Sequence, residues 1–211
     1  MGKRLTMSDA SADSAAAAPA DGDDVAELIL ERASSLFAER GYKGCSMEKL
    51  AASLGATKPF VYYRFKDKAD LLAAICERSL DLTDKVLSDA LALDGSATAR
   101  LAAFSRAFAS MVIDRGACVK VYQYEAAHLR DADAARLAAR RGQIEKRLRT
   151  LIVQGIDSGE FALDDAAIAA SSINGMIVFI TFWYNRRTPE ARDHAVATLE
   201  QFALRLVGAR P

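Results

Sequence analysis

Apolar side chains recur along most of this chain every three or four residues, which is the spacing of helices that bury one face. The pattern begins after residues 1–23, whose Ala-, Ser- and Asp-rich composition predicts a disordered tail. The sequence shows no alternating strand pattern and no hairpin signal that would interrupt the helical spacing. We therefore predict an all-α fold of about nine helices for the 211-residue chain.

Capping residues and glycines mark where the predicted helices begin and end. Asp24 opens helix one and Gly41 stops it, while Ser46, Thr57 and Asp67 open helices two, three and four. The later boundaries are expected near residues 94–95 for the end of helix four, at Gly116 for the end of helix five, and at 119–129, 131–159, 165–187 and 189–208 for helices six to nine.

Positive charge is concentrated near the amino end, although the chain as a whole has 28 basic and 28 acidic residues. Between Lys43 and Lys68 only Glu48 and Asp67 oppose six basic residues. A protein that binds nucleic acid needs such a local basic surface rather than an overall positive charge. The six are Lys43, Lys49, Lys58, Arg64, Lys66 and Lys68.

Other kinds of site have little support in the sequence. Cys45, Cys76 and Cys118 are too far apart for a metal or disulfide motif, which favours a reducing cytoplasm. Glu125 and His128 have the i, i+3 spacing of some metal sites, but only one copy occurs, so we predict no metal. We also predict no cofactor, catalytic site, secretion signal or membrane span.

Residues 46–65, SMEKLAASLGATKPFVYYRF, predict a helix-turn-helix, whose second helix usually enters the DNA major groove. Ala51 is small where the two helices must cross, and Gly55 stands where the chain must turn sharply. Leu50 and Val61 are expected to pack inward. The positions expected to project outward are Lys58, Phe60, Tyr62 and Tyr63. The alternative is a helical hairpin that buries these rings in its own core.

Three longer motifs surround this pair of helices: F-A-E-R-G-Y at 37–42, L-A-x-x-L-G-A-T-K at 50–58 and Y-Y-x-F-K-x-K-x-x-L-L at 62–72. With them, residues 26–75 resemble the amino-terminal domain of TetR-family transcriptional regulators. The DNA-binding residues that the resemblance implies are Ser46, Thr57, Lys58, Pro59, Phe60, Tyr62, Tyr63, Arg64, Lys66 and Lys68.

The resemblance also implies roles for these residues. Lys58, Pro59 and Phe60 would face base edges, and most of the others would contact phosphate or sugar. Phe60 departs from the family pattern, which usually has a small residue there, and Arg64 replaces an aromatic residue. Glu48 lies near the groove, where it could accept from a cytosine amine or point away.

For the rest of the chain, the resemblance implies a homodimer through the last two helices that reads a pseudo-palindromic double-stranded DNA operator. It also implies a pocket among helices five to eight for a small hydrophobic effector, which would tilt helix four and release the DNA. The candidate lining residues are Phe104, Phe108, Met111, Tyr122, Tyr124, Glu125, His128, Met176 and Phe179.

The carboxyl-terminal half loosely resembles TetR-like repressors of lipid and acyl-CoA catabolism, which makes acyl-CoA or a lipid-like molecule the expected effector. The basic residues between Arg130 and Arg149 could meet a CoA phosphate or form a solvated helix face. The expected organisation is a tail (1–23), a DNA-binding domain (24–68) and a ligand-binding and dimerisation domain (69–211) of a cytoplasmic repressor. The alternatives are a helical carrier protein without DNA affinity and an enzyme that acts on a bound lipid.

Overall fold

The computed structural model describes residues 22–185 and 188–209, so the predicted tail lies outside the described residues apart from its last two positions. The described residues form nine α-helices and one 3₁₀ turn, which confirms the predicted all-α fold. The helices are α1 (Gly22–Gly44), α2 (Met47–Ser53), α3 (Lys58–Tyr62), α4 (Lys68–Leu91), α5 (Ala97–Glu125), α6 (Asp131–Asp157), α7 (Ala166–Val178), α8 (Ile180–Trp183) and α9 (Pro189–Leu206), with the 3₁₀ turn at Ala126–His128.

The ends of α1 differ in part from the prediction. The helix begins at Gly22, so Asp24 lies inside its first turn and does not cap it. At Gly41 the backbone leaves helical geometry, with φ 72° and ψ 161°, as predicted for the end of this helix. Positive φ is readily adopted by glycine, and the chain then turns toward α2.

Side-chain caps fix the starts of several helices. Ser46 Oγ accepts the backbone N–H three residues later at 3.3 Å, and Asp67 Oδ1 accepts two N–H groups at 2.9 Å. Thr57 precedes α3 without a side-chain cap bond, contrary to the prediction. Pro59 has no N–H to donate, and the N–H of Phe60 already donates to the Thr57 carbonyl at 3.1 Å. Further side-chain caps are Ser96, Asp165 and Thr188.

The helix end predicted at Gly116 is borne out in part, whereas the single helix predicted over 165–187 is wrong. α5 has a kink at Arg115, one residue before Gly116, where the backbone leaves helical geometry (φ −127°, ψ 22°), and the helix then continues to Glu125. A Cβ at Gly116 would lie 3.1 Å from Thr181 Cγ2, so the glycine admits α8 against α5. The predicted helix over 165–187 is divided at Phe179 into α7 and α8, and its last two residues lie outside the described part.

A single cluster of buried apolar residues extends from Ile29 on α1 to Val207 after α9. The long helix α5 lies at its centre and packs against α1, α4, α6, α7, α8 and α9. Leu101, Phe104 and Phe108 on α5 are almost completely buried. The amino-terminal helices thus share their core with α4 and α5, and the domain boundary at residue 68 stays a prediction.

The expectation that no segment could span a membrane is not supported. Residues Ala166–Trp183 are long and apolar enough to do so by length and composition, although only 33% of this segment is buried in the described fold. The same test is passed by core helices of soluble proteins, so it is weak evidence. The segment is also interrupted at Phe179, between α7 and α8.

Candidate nucleic-acid interface and effector cavity

The α2–α3 pair is locked from inside by the residues that the sequence predicts. Leu50, Ala51 and Val61 are at most 3% exposed. Gly55 has φ 63°, a left-handed conformation in which a β-carbon is strained, so the turn between the helices favours glycine. The inward packing expected at Leu50 and Val61 is confirmed, and it holds the outer face of α3 in a fixed orientation.

That outer face presents aromatic rings and cations to solvent. Phe60 and Tyr62 are 41% and 40% exposed, and Tyr63 is 83% exposed. The alternative of a hairpin that buries these rings is therefore wrong. Lys58 Nζ lies 5.6 Å from the centroid of the Tyr62 ring, and Arg64 Cζ lies 5.4 Å from that of Tyr63. Each cation over a ring face is held by cation–π attraction.

Glu48 on α2 and Lys58 on α3 form an ion pair across the turn, with both side chains more than half exposed. A hydrogen bond from Lys58 holds the pKa of Glu48 well below its usual range, at about 2, and the same bond raises the pKa of Lys58. Glu48 therefore does not point away from the outer face. Its carboxylate pairs with Lys58, the cation that is expected to meet base edges.

The other residues expected to contact DNA surround this face, with one exception. Thr57, Pro59 and Lys66 are exposed, and Ser46 is partly exposed where it caps α2. Lys68 differs, because its Nζ lies 4.1 Å from the centroid of the Tyr42 ring, next to the body of the protein.

A second contact joins the amino-terminal helices to the 3₁₀ turn after α5. The rings of Tyr42 and His128 lie 5.1 Å apart, and Arg130 forms an ion pair with Asp67 at 2.5 Å. Glu125 Oε2 lies 3.3 Å from His128 Nδ1. Glu125 and His128 therefore face α1 and α4 at this junction. The described residues contain no group of three potential metal-binding side chains.

A cavity of about 310 Å³ lies among α4, α5, α6 and α7. Phe104, Phe108 and Tyr122 line it, as the sequence predicts. The remaining apolar lining comes from Leu80, Val119, Ile144, Leu148, Ala170 and Val178, and the polar lining from Ser79, Thr83, Gln123, Arg141, Glu145, Ser171 and Asn174. Among the polar residues only Arg141 was anticipated, as one of the basic residues that could meet a CoA phosphate. The others were not predicted, because they come from four helices whose relative rotation the sequence does not specify.

Six of the nine predicted lining residues lie outside this cavity. Tyr124 is two residues beyond Tyr122, which places it on nearly the opposite side of α5, where its ring packs 4.9 Å from that of Phe182. Phe179 lies at the bend between α7 and α8, where its side chain is exposed. The others are Met111 and Met176, which pack in or against the apolar core, and Glu125 and His128 at the 3₁₀ turn.

Polar and apolar side chains both line the cavity, and each of the four helices contributes both kinds. Ser171 Oγ donates to Glu145 Oε1 at 2.7 Å, which joins α7 to α6 beside the cavity. Burial raises the pKa of the Tyr122 phenol, and the nearby guanidinium of Arg141 opposes that shift. This arrangement can hold a ligand with an apolar body and one polar or anionic group.

The basic residues of α6 separate into two sets. Arg136, Arg140 and Arg147 pair with acidic residues of α4, namely Glu77, Asp81 and Asp84. Arg141, Lys146 and Arg149 form no ion pair with any described residue. Lys146 and Arg149 line a groove between α6 and α7 that shares Glu145 and Ala170 with the cavity.

An apolar face is exposed on the last three helices. Phe179 and Phe182 stack at 5.0 Å between ring centroids, next to Trp183. Soluble monomers seldom expose several large apolar side chains side by side, and such patches mark interaction surfaces. The exposed apolar residues of α7–α9 and their junction are Ile168, Phe179, Phe182, Trp183, Phe202 and Leu206.

Comparisons with known proteins agree with this architecture. Residues 29–75 match the family described as bacterial regulatory proteins, tetR family, and residues 94–207 match the tetracyclin repressor-like C-terminal domain. The chain is 26% identical over 176 residues to the transcriptional activator FasR of Mycolicibacterium smegmatis, covering 83% of this chain and 79% of FasR. It is 26% identical over 137 residues to the transcriptional repressor KstR2 of the same organism, covering 64% and 67%.

The structure of AibR in complex with isovaleryl coenzyme A and operator DNA superposes with a TM-score of 0.74 and 28% identity. This match covers 88% of the present chain and all of the AibR chain. The two family matches together span most of the described residues, from α1 to α9. The chain therefore belongs to the TetR family, and it is a ligand-responsive, DNA-binding transcriptional regulator and not an enzyme.

Proposed function

We propose that this regulator represses transcription by binding a pseudo-palindromic operator as a homodimer, and that a small hydrophobic effector releases it. The observation that carries the proposal is the outer face of α3, where Phe60, Tyr62 and Tyr63 are exposed among cations on a locked pair of helices. Exposed rings are unfavourable on an idle surface, whereas sugars, phosphates and thymine methyl groups can cover them. Repression is the direction named for the relative KstR2, whereas FasR is named an activator.

In this proposal residues 24–68 form the DNA-binding domain, with α3 in the major groove. Lys58, Pro59 and Phe60 face base edges, and Tyr62 and Lys66 contact the phosphate backbone. Ser46, Thr57, Tyr63 and Arg64 lie at the edges of the same face. Lys68 would contribute its charge without a direct DNA contact, because its ammonium group lies over the Tyr42 ring next to the body of the protein. Each phosphate contact makes binding weaken as salt rises.

The exposed apolar face of α7–α9 is the proposed dimer interface. A two-fold axis there would bring the same side chains of two copies together, which covers apolar surface that is otherwise in water. One α3 reads only a few base pairs, and useful specificity therefore requires two copies about one helical turn apart. Residues 69–211 would thus carry both dimerisation and effector binding, in a protein that acts on DNA in the cytoplasm.

The proposed effector is an acyl-CoA or a related amphiphile. AibR was crystallised with isovaleryl coenzyme A, and the cavity here offers apolar side chains that an acyl chain could contact. The adjoining groove places Lys146 and Arg149, which have no acidic partner among the described residues, where phosphates could lie. Ser79 and Thr83 of α4 line the cavity, and only residues 63–67 separate α4 from α3, so a shift of α4 would reorient the DNA-binding helices.

Fluorescence anisotropy with DNA from upstream of the protein's own gene tests the proposal. We expect binding at 50 mM salt that weakens steeply by 200 mM. Isovaleryl-CoA, free CoA and isovalerate would then be added separately to the complex. Release by the thioester alone supports an acyl-CoA effector, and release by isovalerate points to a simpler amphiphile. A dimer that binds no DNA from this region at low salt would contradict the proposal.

A further inference from the structure

The ion pair between Glu48 and Lys58 is the least expected feature of the DNA-binding face. It joins the second residue of α2 to the first residue of α3, and both side chains are open to solvent. Exposed ion pairs contribute little to stability. The buried residues Leu50, Ala51 and Val61 already hold the two helices together. The structural role of the pair is therefore small, and its position suggests another.

The charges of Glu48 and Lys58 have opposite effects on the affinity for DNA. Lys58 is held at one side by Glu48 and lies over the Tyr62 ring, so its ammonium group has a restricted range of positions. A lysine paired with a carboxylate offers little net charge to a phosphate. On DNA of arbitrary sequence, Glu48 would be brought close to phosphates with no donor to replace Lys58, which weakens non-specific binding.

One base pair satisfies both members of the pair at once. In the major groove a G·C pair presents the O6 and N7 acceptors of guanine beside the N4 amino donor of cytosine. An ammonium group next to a carboxylate matches this order, because the cation meets the acceptors and the carboxylate meets the donor. With the same placement on an A·T pair, the ammonium group would meet adenine N7 and the N6 amino donor, and the carboxylate would meet the thymine O4 acceptor, so neither side chain would be properly paired.

We propose that Glu48 and Lys58 act together to read one G·C pair in each half-site, and that Glu48 suppresses binding to other sequences. This inference rests on the proposed docking of α3 in the major groove. Lys58 alone would bind guanine and phosphate with similar ease. Glu48 makes the site selective because, with Lys58 over the O6 and N7 positions, its carboxylate meets the cytosine amine in a G·C pair but the thymine O4 acceptor in an A·T pair.

The test compares the full-length protein with its Glu48→Gln variant, which keeps the side-chain shape and removes the charge. Glu39→Gln is the matched control, since Glu39 is an exposed carboxylate on α1 outside the α2–α3 face. Each protein selects duplexes from a library with a random core. Anisotropy titrations then use the selected operator, a version with the G·C pair changed to A·T in both half-sites, and random duplex, each at several salt concentrations.

For the wild type we expect the G·C to A·T change to weaken binding about tenfold per half-site. Glu48→Gln should reduce that loss to about twofold or less, bind random duplex several times more tightly, and steepen the salt dependence by about one phosphate contact per subunit. Lys58→Met should remove the same base preference while it weakens binding. Glu39→Gln should behave as the wild type.

Two results would overturn the inference while leaving the proposed function in place. One is an unchanged base preference in Glu48→Gln. The other is a uniform loss of affinity for every duplex together with a lower melting temperature, which would assign Glu48 a structural role. If the wild type binds no duplex at 50 mM salt, the docking of α3 fails, and the inference fails with it.

Discussion

Replacing Trp183 by Ser should separate the proposed dimer into subunits. Trp183 is 58% exposed on α8, next to Phe179 and Phe182. If a covered aromatic side chain buries about 200 Å², roughly 120 Å² of Trp183 remains for a partner to cover. At about 25 cal/mol per Å² this is about 3 kcal/mol, and a two-fold interface contains it twice. If the partner covers Trp183 completely, Trp183→Ser should therefore raise the dimer dissociation constant about 10⁴-fold. If it covers half of the exposed area, the rise should be about a hundredfold.

Sedimentation velocity of fluorescently labelled protein, over dilutions from micromolar to nanomolar, measures this constant directly. Leu28→Ser is the matched control, because Leu28 is 57% exposed on α1, outside the proposed interface. The control should sediment like the wild type. DNA affinity should fall with dimerisation in Trp183→Ser, since one subunit reads only half of the operator. The reasoning would be refuted by a Trp183→Ser protein whose dissociation constant is unchanged, or by equal weakening in both variants.

Three further outcomes are expected. Lys66→Ala should weaken binding to all duplexes about equally, whereas Phe60→Ala should change the preferred sequence in a library selection; equal selections would show that Phe60 does not face the bases. Gly155→Ala would place a Cβ in steric conflict with the buried Phe161 ring, so thermal denaturation should show that the free energy of unfolding falls by about 1–3 kcal/mol. Glu160 accepts the N–H groups that begin α5, chiefly that of Thr98 at 2.8 Å, and these bonds lower its pKa to about 2. Its contribution should be present above pH 4.5 and disappear as pH falls to about 2, so Glu160→Gln should lower the melting temperature at pH 7 but not at pH 2.

Local sequence signals were sufficient for the α2–α3 pair, apart from the predicted side-chain cap at Thr57. The turn requires a small side chain at Ala51, a positive φ at Gly55 and an apolar side chain at Val61. The caps at Ser46 and Asp67 accept N–H groups no more than three residues away. Such features depend on the nearest neighbours in the chain, and they can be read without knowing the rest of the fold.

Signals that depend on distant packing were misread. Gly116 follows a kink at Arg115 and does not end α5, and it also admits Thr181 from another helix. Tyr122 and Tyr124 are equally plausible pocket residues in the sequence, and only the rotation of α5 against α6 and α7 separates them. The ion pair of Glu48 and Lys58 also crosses a turn whose geometry was not available from the pattern alone.

The contacts between α4 and α6 have a consequence for how the regulator responds to its surroundings. Arg136, Arg140 and Arg147 join α6 to α4 over three turns of the helix, and the two helices should therefore move together as one rigid unit. Added electrolyte weakens exposed charge pairs. A rise in ionic strength should therefore have two separate effects. It should weaken the contact between α4 and α6 inside each subunit, and it should weaken binding to the duplex.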